Sequence, residues 1–308
     1  MPIARPAAVV RRLAALAVVA ALAAAAGGAG AAPFDSPAHL VIVPALADGR
    51  PLRLLLDTGD PGALSLVAAA ASRPGVAIGP APAHATAGRG LLGPLPIPLG
   101  TVRIGRLAVD GAEWIGVEAL VIREDAALAR AVGAPYDGVI GAALLAGRRL
   151  VIDYPLRTVS FAADAAVGPV GGPGRGSALR LDAGRLLTEV DLGRGRRPAF
   201  IDTASAATLV DPGAAGPWQA VPGGTQGLVD AGGTAAGLPS ARLERIAAGG
   251  KVLHGVTVLL LDLADGAGGG LPAGTPPPAA ILGADLLSRH RIVLDLVAGR
   301  FAIEGDRR

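Results

Sequence analysis

Residues 54–67 read LLLDTGDPGALSLV, and residues 200–210 read FIDTASAATLV. Each is an apolar run that closes on Asp-Thr, followed by small residues and then by apolar residues again. A short apolar run bounded by turn residues is the pattern of a buried strand, so Asp57 and Asp202 stand at strand exits. The stretches before them agree. Residues 39–59, HLVIVPALADGRPLRLLLDTG, hold two apolar runs around Ala-Asp-Gly-Arg-Pro, a hairpin signal. Residues 179–204, LRLDAGRLLTEVDLGRGRRPAFIDTA, have the same form, with Gly-Arg-Gly-Arg-Arg-Pro as the turn.

The repetition continues downstream. Residues 137–161, DGVIGAALLAGRRLVIDYPLRTVSF, and residues 279–301, AAILGADLLSRHRIVLDLVAGRF, share an apolar-Gly-Ala-x-Leu-Leu segment, a polar turn, and an apolar strand carrying Asp. The offset from Asp57 to Gly141 is 84 residues, and from Asp202 to Gly283 it is 81. Asp57 to Asp153 spans 96, and Asp202 to Asp295 spans 93. Three markers in one order with nearly constant offsets predict an internal duplication. Residues 164–177, DAAVGPVGGPGRGS, are Gly- and Pro-dense and read as a linker. The expected organisation is therefore a lobe over 32–163, the linker 164–177, and a second lobe over 178–308. Both lobes are expected to be mostly β, with short helices at the Ala-x-Leu-Leu segments and pseudo-two-fold packing between them.

Composition narrows the chemistry. The 308 residues carry no Cys, which removes disulfides, thiolate metal sites and a Cys nucleophile. The net charge is +3 and the pI about 10.1, but the Arg residues are scattered and no basic block exists, so nucleic-acid binding is not expected. Arg5, Arg11 and Arg12 precede an apolar run from Leu13 to Ala26, followed by the small-x-small triplet Ala29-Gly30-Ala31. That order is a secretory signal peptide over 1–31, which implies a periplasmic or extracellular protein; left uncleaved, the same run would be an N-terminal anchor. Gly88 to Gly93, GRGLLG, matches a dinucleotide fingerprint but follows no strand and opens no helix, so it reads as a loop. His39, His84, His254 and His290 share no ligand spacing, and no Gly-x-Ser-x-Gly elbow is present, so neither a metal nor a cofactor is expected. Asp153 and Asp295 read as structural hydrogen-bonding groups, and Trp114 and Trp218 as packing residues.

If a two-fold axis brings Asp57 and Asp202 face to face, two carboxyl groups about 3 Å apart share one proton, the arrangement for general acid–base hydrolysis of an amide. With their downstream Gly elements VIG and ILG, the paired motifs LLLDTG and FIDTAS resemble the aspartic proteases of the pepsin and retropepsin type, over nearly the whole chain after the signal. The resemblance implies an all-β, two-lobed acid-protease fold and a monomeric endopeptidase acting on polypeptide. It makes Asp57 and Asp202 the catalytic pair, and it places interlocking hydrogen bonds at Thr58 and Thr203. Gly59 and Ala204 would form the loops, with Gly141 and Gly283 behind them. Its mobile flap falls at Gly88, Gly90 and Gly93, and a second flap at Gly232 and Gly233. Three positions depart from the pattern. The second motif is Asp-Thr-Ala, Asp60 stands where the family carries Ser, Ala or Thr, and no Tyr or Trp lies in 84–100. They keep open a second reading, a catalytically inactive protein that binds extended peptides in the cleft.

Overall fold

The computed structural model describes residues 31–72, 77–82, 90–124, 126–162, 176–264 and 277–305. The signal-peptide segment up to residue 30, most of the linker, His84 and Gly88 lie outside the described residues. The chain is all-β, with helices of at most seven residues among those described.

The strands are β1 Ala32–Pro33, β2 Ile42–Ala47, β3 Arg50–Asp57, β4 Leu64–Val67, β5 Gly100–Val109, β6 Ala112–Ile122, β7 Gly138–Gly141, β8 Arg149–Asp153 and β9 Thr158–Ala162. The second half holds β10 Ser177–Asp182, β11 Arg185–Asp191, β12 Arg196–Ile201, β13 Leu209–Val210, β14 Trp218–Val229, β15 Ala235–Ala248, β16 Lys251–Leu260, β17 Ala280–Leu282, β18 Arg291–Asp295 and β19 Arg300–Glu304.

The first half closes as a barrel in the order β2-β3-β7-β4-β6-β5. Its hairpins turn on residue pairs with left-handed backbone: Asp48 (φ 50°) with Gly49 (φ 77°), and Asp110 (φ 48°) with Gly111 (φ 72°). Two positive φ values match the right-handed strand twist, which is why Asp-Gly works there. In the second half the same pairings recur. β12 runs parallel to β17 as β3 does to β7, and β13 runs antiparallel to β17 and parallel to β16 as β4 does to β7 and β6. β11 meets β15 as β2 meets β5. Among the described residues of the first half, the place of β14 is marked only by the isolated Gly79–Thr101 bridge to β5, whereas β14 extends the second half as an edge strand against β15. Trp218 on that edge is 40% exposed, so it is not the packed residue that the sequence led one to expect.

Beneath both halves, β1, β9, β8, β18, β19 and β10 form one six-stranded platform that takes three strands from each half. Its centre is the antiparallel pair β8–β18, with Leu150 opposite Leu294 and Ile152 opposite Ile292, all fully buried. Arg149 and Asp295 cross the same pair as a buried ion pair at 2.6 Å. Asp295 also accepts the N–H groups of Val297 and Ala298, and Asp153 that of Leu156, which is the structural bonding expected of them. Trp114 packs edge-on against Phe161 and donates to the Leu144 carbonyl.

Candidate active site

Asp57 ends β3, and Asp202 follows the last residue of β12. Each Asp folds its own loop by accepting the next N–H groups. Asp57 Oδ1 accepts from Gly59 (2.8 Å) and Asp60 (3.0 Å), and Asp202 Oδ1 accepts from Ala204 (2.9 Å) and Ser205 (2.8 Å). This is the turn that an Asp side chain makes with backbone two and three residues on. The same oxygen is held in both copies, and the two carboxyl groups lie close enough for the charge of Asp202 to act on Asp57.

The buried residues Thr58 and Thr203 cross beneath the pair. Thr58 Oγ1 donates to the Ile201 carbonyl (2.7 Å) and accepts the Thr203 N–H (3.0 Å). Thr203 Oγ1 donates to the Leu56 carbonyl (2.7 Å) and accepts the Thr58 N–H (3.2 Å). Each hydroxyl thus satisfies one donor and one acceptor of the other half, and neither half can supply these partners alone.

Gly141 and Gly283 lie behind the loops. A Cβ on Gly141 would stand 2.2 Å from the Gly62 carbonyl oxygen, and one on Gly283 2.3 Å from that of Ala207. The Gly141 N–H reaches the Ala63 carbonyl, whereas that of Gly283 reaches Thr208 Oγ1, which in turn bonds Asp285.

The two copies differ at the third motif position. A Cβ on Gly59 would fall 2.4 Å from Asp202 Oδ2, so only Gly fits there. Ala204 is outside the left-handed region, and its side chain packs against the apolar cluster that includes Leu40, Val132, Tyr136 and Ala284. The Asp-Thr-Ala departure therefore falls where a methyl group has room, and its N–H still holds Asp202.

Electrostatics separate the two carboxyls. Burial pushes Asp57 well above the usual carboxylate range, the charges of Asp202 and Asp60 add to it, and the two loop N–H groups oppose it. Burial also raises Asp202, against its two N–H donors and the cation of Arg185. Asp60 is raised by burial while accepting the Gly62 N–H at 2.8 Å. Arg185, unremarked in the sequence, opens β11 beside all three carboxyls, with its guanidinium 5.3 Å from the Phe200 ring centre. Gly184 before it (φ 76°) rests on Pro61. A signal was available: three acidic groups in one site call for a cation, and Arg185 follows the hairpin turn that leads to Asp202. Tyr154, buried edge-on against Phe34, is pushed up by burial and then by the Asp202 charge.

Of the expected flap residues, Gly90, Gly93, Gly232 and Gly233 are described. Residues 90–93 form a turn closed by the Gly90 N–H to the Gly93 carbonyl, and 230–234 form the tip between β14 and β15. The two segments touch: Asp230 Oδ2 accepts the N–H groups of Leu92 (2.9 Å) and Gly93 (3.0 Å).

No family model matches the sequence, and no curated protein matches it significantly. Among solved structures, the aspartic proteinase from Irpex lacteus is similar, with a TM-score of 0.48 at 14% identity over 89% of this chain and 96% of that chain.

Proposed function

We propose that the chain is an aspartic-type endopeptidase that hydrolyses peptide bonds with a water activated between Asp57 and Asp202. The observation that carries this reading is the pair of half-buried, facing carboxyls, each with one oxygen held by its own loop and both loops cross-bonded through Thr58 and Thr203. Two such carboxyls share one proton, and the titration belongs to the pair. Arg185 favours the anion on Asp202, while Asp202 and Asp60 disfavour it on Asp57, so in this reading the shared proton sits on Asp57. Asp202 takes a proton from the water as its oxygen bonds to the carbonyl carbon, and Asp57 gives its proton to the carbonyl oxygen. In the collapse of the tetrahedral intermediate, the amine nitrogen takes the proton from Asp202, the C–N bond breaks, and a hydroxyl proton returns to Asp57. No covalent intermediate is needed.

Export after cleavage near residue 31, and a monomer of two duplicated lobes joined by the 164–177 linker, belong to the same proposal. The test uses protein lacking residues 1–31 with denatured casein. Fragments that a statine-type inhibitor suppresses are expected, and they should vanish in Asp57→Asn and Asp202→Asn; full activity in either variant overturns the mechanism. The competing reading, a peptide-binding protein without catalysis, is favoured by one observation: Asp60 and Arg185 add a third carboxyl and a cation to a site that needs only two acids. Casein bound without fragments would decide for it.

A further inference from the structure

We propose that cleavage after Ala31 completes the fold: the amino group it creates at Ala32 pairs with the Asp110 carboxylate and locks β1 onto the platform. The processing step rests on reading residues 1–31 as a signal peptide; the pairing stands on geometry.

The Ala31–Ala32 bond lies where the chain enters the platform. Ala31 is exposed, whereas Ala32 is 3% exposed and opens β1. β1 pairs antiparallel with β9, Ala32 opposite Val159, and the Phe34 N–H reaches the Arg157 carbonyl at 3.0 Å. Asp110, half-buried at the tip of the β5–β6 hairpin, reaches this corner. Burial pushes its carboxyl up to about 6, and the N–H groups of Phe161 on β9 and Ala32 on β1 oppose that. Asp110 Oδ1 is shielded from solvent and has no hydrogen-bond partner among the described residues. The turn itself does not need the carboxylate. Asn-Gly serves as well as Asp-Gly where both residues are left-handed, as Asp110 and Gly111 are. The other Asp-Gly hairpin puts its side chain to use, because Asp48 Oδ1 accepts the Arg106 N–H at 2.8 Å. Asp110 keeps a buried oxygen to spare, which costs free energy until a donor meets it.

Cleavage supplies that donor. The hydroxyl of a water joins the Ala31 carbonyl carbon and the C–N bond breaks. The Ala32 nitrogen takes the other water proton and the proton of the new carboxyl, and becomes an ammonium. One N–H becomes three, with a full positive charge. A charge on so buried a residue is costly unless it is paired, and the carboxyl with the spare oxygen lies beside it. An intact amide at Ala32 carries no charge, so the lock closes only when the leader is gone.

Two chains beginning at Ala32 test the pairing at pH 7, one with a free amino group and one with an Nα-acetyl group that restores the amide. Asp110→Asn keeps the turn and removes the charge. With the free amino group, the folding equilibrium constant from urea unfolding should fall about tenfold or more on this substitution. With the acetyl group, as in the uncut chain, it should rise about fivefold or more. The same sign in both chains overturns the pairing, because a merely structural role does not sense the terminal charge. Lys251 is the one lysine of the sequence, so trace acetylation read by mass spectrometry separates its amine from that of Ala32. The Ala32 amine should react at least about tenfold faster in Asp110→Asn while Lys251 keeps its rate; equal rates at Ala32 overturn the pairing as well. The exported protein should begin at Ala32, and a different first residue overturns the processing step whatever the signs. These readouts are independent of hydrolysis: opposite signs in a protein that leaves casein intact support the lock and refute the peptidase reading.

Discussion

Replacing Thr203 with Val tests whether the crossing beneath the aspartates holds the site together. Val keeps the shape and removes the hydroxyl. Two contacts go: the donation to the Leu56 carbonyl at 2.7 Å and the acceptance from the Thr58 N–H at 3.2 Å. The first loss costs about 0.5–1.5 kcal/mol, and the second leaves a fully buried N–H without its partner, at about 1–3 kcal/mol. The expected destabilisation is therefore about 2–4 kcal/mol. For a chain of this size that corresponds to a fall in Tm of about 3–7 °C. Urea unfolding of the wild type, Thr203→Val, Thr58→Val, the double variant and Thr203→Ser measures it. Thr203→Ser should lie near wild type, and the double variant should cost less than the sum of the singles because both hydroxyls serve one crossing. A Thr203→Val protein within about 0.5 kcal/mol of wild type, or a Thr203→Ser protein as unstable as Thr203→Val, would refute the reasoning.

Three further outcomes are expected. Gly59→Ala drives a Cβ to 2.4 Å from Asp202 Oδ2, so the carboxyl must move, and casein cleavage should fall by about 10²-fold with unchanged circular dichroism. Arg185→Gln removes a cation that favours the ionised pair and should move the pH–activity profile upward; Asp60→Asn removes an anion and should move it downward, with carboxyl 13C titration showing the same opposite signs. Asp110 is pushed up to about 6 by burial, against the N–H groups of Phe161 and Ala32. The folded state therefore holds that proton more tightly than the unfolded chain, and its stability falls as pH rises from about 4 to about 6. Asp110→Asn should match wild type near pH 4 and exceed it above pH 6, by about 1–2 kcal/mol once solvent screening is discounted.

How much of this was legible in the sequence depended on whether a feature was local. The strands ending at Asp57 and Asp202 and the Asp48-Gly49 turn follow from apolar runs and turn chemistry, which act within a few residues, whereas the place of Gly141 and Gly283 came from the family resemblance. Arg185 and Asp230 were missed because their partners are distant in the chain: Asp230 meets residues 137 and 138 positions away, and Arg185 meets acids from both halves. No periodicity encodes such contacts. Ala204 was legible as a departure but not as a tolerated one, because the Gly59 copy faces a carboxyl while the Ala204 copy faces an apolar cluster. Symmetric strands had concealed asymmetric surroundings.

That asymmetry bears on what holds the halves together. Gathering the half-buried Asp57, Asp60 and Asp202 beside Arg185 works against folding, since each carboxyl is raised by desolvation. Cohesion must come from elsewhere, and the platform supplies it. Leu150, Ile152, Ile292 and Leu294 are fully buried across β8–β18, each contributing about 1.5–3 kcal/mol. The Arg149–Asp295 pair in the same ladder adds little net energy, because desolvation offsets its attraction, but it fixes which residues face one another. The platform therefore holds the halves in register, and the threonine crossing sets the spacing of the carboxyls above it. On that division of labour, Thr203→Val should leave platform amides protected while weakening the coupling between the two aspartates. A variant that loses protection in β8 and β18 together with the crossing would show that the two supports are one.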